Sequence, residues 1–173
     1  MTDAVDQLIQ ALALEPHPEG GHYRRVYASQ VEVEHHGAPR PALTAIEFLL
    51  RRGQCSRWHR VDADEAWHWQ DGGALHLQTY DPASDALVDT LLGDRSRQAR
   101  DLLHVVPAGQ WQRAWTSGPF ALVACTVSPG FVWEGFALLD AAPDIARRLR
   151  ALGADDQAQE PLPKTVPAMA PNR

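Results

Sequence analysis

The chain has 173 residues, 45% hydrophobic and 22% charged, enough for one domain with a full core, and its net charge of -6 argues against a nucleic-acid binder, which needs a basic patch or stripe. No apolar run approaches the roughly 20 residues that span a bilayer, and the N-terminal MTDAVDQLIQAL lacks the basic segment of a secretory signal. Cys55 and Cys125 make neither a metal-type pair nor a disulfide framework, so reduced thiols and a cytoplasmic location are expected.

Thr2 or Asp3 can cap a short helix in which Val5, Leu8, Ile9 and Leu12 recur at helical spacing, with Pro16 and Pro18 ending it. His17-Pro-Glu-Gly-Gly-His-Tyr-Arg24 then forms a turn with unusual backbone angles. Its polar residues read as a structured loop with an Arg–Glu surface pair; the functional reading carries Tyr23 and Arg24 to a pocket. Residues 25–33 alternate as a strand, and 35–41 (HHGAPRP) read as a loop. The adjacent His35 and His36 resemble a metal pair, but neighbours in an extended chain point to opposite faces, so they are expected to be surface histidines.

Residues 42–50 (ALTAIEFLL) are apolar on both faces, as in the centre of a sandwich. Short strands follow at 58–61, 65–70, 74–80, 86–92, 102–106, 111–115 and 120–127, separated by Gly-, Pro- and Asp-containing turns, and an aromatic segment spans 131–139. This regular spacing predicts an all-β sandwich or barrel and excludes a parallel α/β sheet. Residues 141–152 form a C-terminal helix stopped by Gly153, and 153–173, with four prolines from Pro161 onward, read as a disordered tail.

Two stretches hold the chemistry. Ser56 to Gly72 (SRWHRVDADEAWHWQDG) contains a histidine, an acidic turn, a glutamate and three tryptophans. Val105 to Trp115 (VVPAGQWQRAW) looks like its partner hairpin, the two facing one another around a pocket. His59 and Val61 share a strand face, as do Glu65, Trp67 and Trp69, and a tight turn through Asp62–Asp64 would set His59 beside Glu65. A carboxylate orients an imidazole and raises its pKa, so the pair reads either as acid–base machinery or as a structural pair within a β core. By alternation His68 points to the other face.

The first stretch, His59-x-Val61-x3-Glu65-x6-Gly72, resembles the first motif of the cupin superfamily; Pro107-Ala-Gly109-Gln-Trp-Gln112 resembles the second except at its end. His17 to Gly21 followed by Arg24, the strand Phe48 to Leu50, Ser56 with His59, Val106 to Trp111 and Val127 to Phe131 are similar to the cupin family 5 branch, a domain of unknown function. The resemblance implies a double-stranded β-helix, the cupin jelly roll of the RmlC-like class, with short N- and C-terminal helices. It sets a single domain at 1–152 and implies a homodimer, with Phe131, Trp133 and Phe136 as candidates for the contact face. Metal-binding cupins use two histidines and a glutamate of the first motif and a histidine of the second. Here those positions are His59, Val61, Glu65 and Gln112; valine cannot ligate and glutamine is a weak ligand. Recruiting His68 or His76 would break strand alternation. The expectation is therefore no cofactor, with a weak Mn, Fe, Ni or Zn site at His59 and Glu65 as the minority reading.

Without a metal, the expected catalytic residues are His59, Glu65 and Tyr23, and the ligand-binding ones Arg24, Ser56, Trp67, Trp69, Trp111 and Gln112. That set suits a small polar molecule that is sugar-, nucleotide- or carboxylate-like. By analogy of fold with metal-free sugar epimerases, His59 would take a proton alpha to a carbonyl and Tyr23 return it. Three readings stand: a metal-independent isomerase, epimerase or lyase; a non-enzymatic small-ligand-binding cupin; and a metal-dependent cupin enzyme with an incomplete site.

Overall fold

The computed structural model describes residues 3–94 and 101–154. Helix α1 (Ala4–Ala11) is capped by Asp3, whose carboxylate accepts from the Val5 N–H, and it ends at Ala13 in a left-handed conformation (φ 51°), ahead of the prolines. Strands β1 (Glu15–Pro16) and β2 (His22–Ala28) follow. The predicted 25–33 strand is broken by a turn after Ala28, and residues 35–41 are not a loop. Instead β3 (Glu32–His35) and β4 (Ala38–Pro41) form a hairpin closed by His36 and Gly37, both at positive φ (51° and 79°), the geometry that two-residue hairpins favour.

The other strands match the expected spacing: β5 (Thr44–Arg51), β6 (His59–Val61), β7 (Asp64–Gly72), β8 (Leu75–Asp81), β9 (Ala86–Leu92), β10 (Leu103–Val106), β11 (Trp111–Thr116), β12 (Phe120–Ser128) and β13 (Phe136–Leu138). The aromatic segment is only partly extended, with a 3-10 turn at Trp133–Gly135 before β13. Helix α2 (Pro143–Ala151) ends as predicted at Gly153, which sits at φ 76°. The predicted tail lies, beyond Ala154, outside the described residues.

Two antiparallel sheets form the jelly roll, one in the order β1-β2-β5-β12-β7-β10 and the other β13-β6-β11-β8-β9. Phe48, Leu50, Trp67, Leu75, Leu77, Val123 and Cys125 fill the space between them. Helix α1 lays Val5, with Leu8 and Ile9, on Leu49 and Leu122 at one end of the first sheet's outer face. Helix α2 covers Trp58, Tyr80 and Trp111 on the outside of the second, and Ala154 joins that cluster. No helix among the described residues is long and apolar enough to cross a membrane.

The stretches around His59 and Glu65 are not two facing hairpins. Strand β6 pairs with β11, setting His59 opposite Gln112, while β7 pairs with β10, setting Glu65 opposite Val106. The acidic turn is thus a crossover between sheets, and His59 and Glu65 belong to opposite layers.

Candidate functional site

At one end of the sandwich the layers part around a cavity of about 770 Å³. Glu19, His59 and Glu65 line it together with Tyr23, Trp67 and Phe136. His59 is only 1% exposed and Glu19 only 6%, so both are held away from water. The carboxylate facing His59 is that of Glu19, whose Oε2 lies 3.2 Å from Nε2. This corrects the expected neighbour, Glu65, which β7 places in the other layer.

Glu19 reaches the cavity because the chain folds back at Gly20 and Gly21, both at positive φ (105° and 71°). The His17 N–H donates to the Gly21 carbonyl and the Gly20 N–H to that of His17, closing the turn. A Cβ on Gly21 would stand 2.8 Å from the Leu49 carbonyl oxygen, so this close approach requires glycine. The Arg57 N–H donates to the Glu19 carbonyl and ties the turn to the segment before β6. Sequence reasoning set Glu19 aside as a surface residue and did not count His17 at all. The available signal was the Gly-Gly turn, which can bury the polar residues before it.

The hydrogen bonds settle the tautomers. His59 Nδ1 lies 2.8 Å from the Arg57 carbonyl, an acceptor only, so Nδ1 carries the proton and Nε2 presents its lone pair. His17 Nδ1 accepts from the Glu19 N–H at 3.3 Å, so the ring proton of neutral His17 sits on Nε2. Burial lowers His59 to about 4 and His17 to about 3. Burial also raises Glu19 well above the carboxyl range, helped by the nearby Glu65, which burial itself raises to about 7. At neutral pH the imidazoles are uncharged, and burial favours the protonated form of the Glu19 carboxyl that faces His59 Nε2.

Glu65 is fastened across the layers. The Gln112 amide donates to its Oε2 at 2.5 Å, and the Gln112 carbonyl accepts from the Trp67 indole N–H at 2.9 Å. Gln112 therefore positions Glu65 and is not among the cavity-lining residues. Trp67 lines the cavity as expected, with Phe48 edge-on to it at 5.8 Å. Tyr23 also lines it, its ring edge-on to His17 at 4.6 Å, and burial raises its hydroxyl pKa.

Other expected site residues stand elsewhere. Trp111 neighbours the inward Gln112 on one strand, so alternation turns it outward into the cluster beneath α2. Trp69 packs against the core beyond the cavity and donates to the Gly73 carbonyl. The Ser56 hydroxyl accepts from the Ala114 N–H and serves as a strand clamp. Arg24 touches the rim but pairs with Glu47 at 2.8 Å, whereas Arg25, in register with the cavity-lining Ile46, is the arginine on the inner face. Inward Tyr23 implies inward Arg25 by alternation, a signal present in the sequence.

Phe131, Trp133 and Phe136 are the reverse case. Expected on an outer contact face, they line the cavity as a mutually edge-on cluster with ring centroids 5.0–5.9 Å apart. Phe136 also stacks on His59 at 5.6 Å. His68 turns to the outer face, where it meets Thr126, and His76 stacks on Trp115; neither lines the cavity.

The residues at the cupin metal positions do not fit a metal ion. Val61 offers no donor atom, and the Gln112 amide is committed to Trp67 and Glu65. The carboxyl of Glu19 sits between His17 and His59, at 3.5 and 3.2 Å, yet one donor atom from each of the three does not converge within 4.8 Å of both others. Among the described residues only His35, His36 and Asp62 converge in that way, outside the cavity.

Residues 6–139 match the family described as Cupin superfamily (DUF985). The chain belongs to that family. It is similar to a hypothetical protein from Leishmania major, 28% identical over 86% of this chain and 98% of that one (TM-score 0.74). A protein of Shewanella oneidensis is 36% identical over 80% and 85% of the two chains (TM-score 0.70). An oxalate decarboxylase variant from Bacillus subtilis is 14% identical over 80% of this chain and 34% of that one (TM-score 0.56), a likeness of fold alone. No curated protein matches. This cupin thus keeps the jelly roll and the motif spacing while its cavity departs from the ligand set.

Proposed function

We propose that the cavity is the active site of a metal-independent isomerase, epimerase or lyase that moves a proton on a small polar, carbonyl-bearing substrate. One observation carries the reading: His59 Nε2, its lone pair left available by the Nδ1 tie to Arg57, lies 3.2 Å from the Glu19 carboxyl at the buried wall of the cavity. His59 takes a proton from the carbon alpha to the carbonyl, so the C–H bond breaks as the N–H bond forms. Protonated Glu19 donates to the oxygen where negative charge develops; Tyr23 or Glu65 then protonates carbon while the enol oxygen returns its proton to Glu19, and the proton held by His59 replaces the one that Tyr23 or Glu65 gave up. A well-placed acid or base of this kind accelerates such a step by roughly 10²- to 10⁴-fold. The aromatic wall excludes water and gives a flat substrate a stacking surface, and Arg25 at the rim can hold an anionic group.

The test is hydrogen exchange. Keto sugars, sugar nucleotides, uronates and 2-keto acids are incubated with the protein in D2O and followed by proton NMR. Catalysed loss of an alpha-proton signal, absent with His59→Ala, is expected. Ligands that raise the melting temperature without exchange would establish the binding-only reading instead.

Residues 1–152 are taken as one domain, supported by the interlayer core and the packing of both helices on the two sheets. A cytoplasmic location is supported by the cysteine usage, two cysteines whose placement makes no disulfide framework. The proposed homodimer would use the outer face of the first sheet below α1. There Tyr27, Ala45, Thr126, Ala66 and Val105 stand side by side across adjacent strands. The next row is Arg24, Glu47, Ala124, His68 and Leu103, whose one acid and one base pair with each other. Such a face is neutral in an acidic chain, so a second copy meets no repulsion there. Its small centre and large ends let the Leu103 and Val105 of each copy rest on the alanines of the other.

A further inference from the structure

We propose that His35, His36 and Asp62 form a surface site for a divalent transition cation of the Zn2+ class, fastening the β3–β4 hairpin to the end of β6. Each of the three offers a donor atom, and these atoms lie within 4.8 Å of one another. In a regular strand two consecutive histidines would face apart. Here His36 occupies the first turn position at φ 51°, and that left-handed residue brings the rings to one side, their centroids 4.0 Å apart.

Two contacts prepare the donors. His35 Nε2 lies 3.1 Å from the backbone carbonyl of Asp62, which can only accept, so the ring proton is on Nε2 and Nδ1 keeps its lone pair. A ring N–H given to a backbone carbonyl is the support that metal-bound histidines ordinarily have. The Asp62 carboxylate is held in place by Arg40, which donates to both oxygens at 2.9 Å and is itself 6% exposed. Each carboxylate oxygen retains a further lone pair for a cation.

The donor set names the class. Two imidazoles and a carboxylate suit Zn2+, Ni2+, Cu2+ or Co2+, with water completing the shell at exposed His36, whereas Ca2+ and Mg2+ require oxygen ligands. The Arg40 charge partly neutralises the carboxylate and weakens its share of the binding. Asp62 follows Val61, a cavity-lining residue, so the cation would brace the cavity's edge from outside while the proton chemistry within goes on independently.

The tag-free full chain is stripped with chelator and titrated calorimetrically with Zn2+ at neutral pH. A saturable site at one ion per chain is expected, with binding weakened at least about tenfold by His35→Ala and by His36→Asn. Asparagine tolerates the left-handed turn, so the second variant removes the ligand and keeps the hairpin. His76→Ala and His59→Ala should bind as the parent does. The proposal is overturned if no saturable binding occurs, if both hairpin variants bind unchanged, or if His59→Ala abolishes binding, which would put the cation in the cavity.

Discussion

Glu19 and His59 share one proton, and the roles of both follow from which nitrogen the Arg57 carbonyl occupies. Removing the acid while keeping its shape separates the two roles. Glu19→Gln is expected to lower kcat at least about 100-fold with little change in KM, because it removes a proton donor and leaves the cavity's shape intact; steady-state kinetics on a substrate found by exchange would check it. Glu65 and Glu19 both carry raised carboxyl pKa values and act on the same side of the pH profile, and Glu65 is the one that can be followed by value. Its folded pKa of about 7 exceeds the ordinary carboxyl value of 4.5, so the folded state binds the extra proton. Its stabilising effect is present at low pH and is lost as pH rises from 4.5 through 7, a contribution of about 3 kcal/mol. The depressed histidines act oppositely: they keep stability above pH 6.5 that is lost as pH falls toward 4 for His59 and 3 for His17. Thermal melts should therefore peak in mildly acidic buffer, and Glu65→Gln should flatten the decline on the alkaline side. An unchanged alkaline limb would remove Glu65 as its cause.

The turn at Gly20–Gly21 is the element on which the site depends, since it carries Glu19 and His17 into the cavity from beside β2. Gly21→Ala forces a side chain into the left-handed region and against the Leu49 carbonyl. It should cost about 2 kcal/mol or more in denaturant unfolding and reduce activity further than that loss alone predicts. A variant of full stability would show that the turn tolerates a side chain. The crossover at Asp62–Asp64 matters equally. Because β6 and β7 enter different sheets, the cupin motif spacing sets its two polar residues facing across the interior, and Gln112 from β11 reaches over to hold Glu65. Trp67→Phe would delete the indole N–H that holds the Gln112 carbonyl, costing about 1–3 kcal/mol through the orphaned buried acceptor.

At the scale of the molecule, α1 and α2 cover two of the apolar faces, and among the described residues Tyr27, Leu103 and Val105 on the lower outer face of the first sheet stay exposed. Sedimentation velocity is expected to show a dimer, with Ala66→Arg shifting the species to monomer because it buries a charge where a small residue is needed. A parent protein that sediments only as monomer would rule out this interface.

The sequence by itself determined the strands from β5 to β12, both helices, the inward faces of His59, Val61, Glu65 and Trp67, and the family. Turn residues and two-residue alternation are local properties that each stretch carries alone. Alternation also held the correct answer for Trp111, which must oppose Gln112, and for Arg25. The tertiary structure alone decided which carboxyl meets His59, because that depends on a distant turn folding back between two layers. It also decided that Phe131, Trp133 and Phe136 close the cavity, and that His35 and His36 converge: a single left-handed residue breaks the period on which sequence reasoning rests.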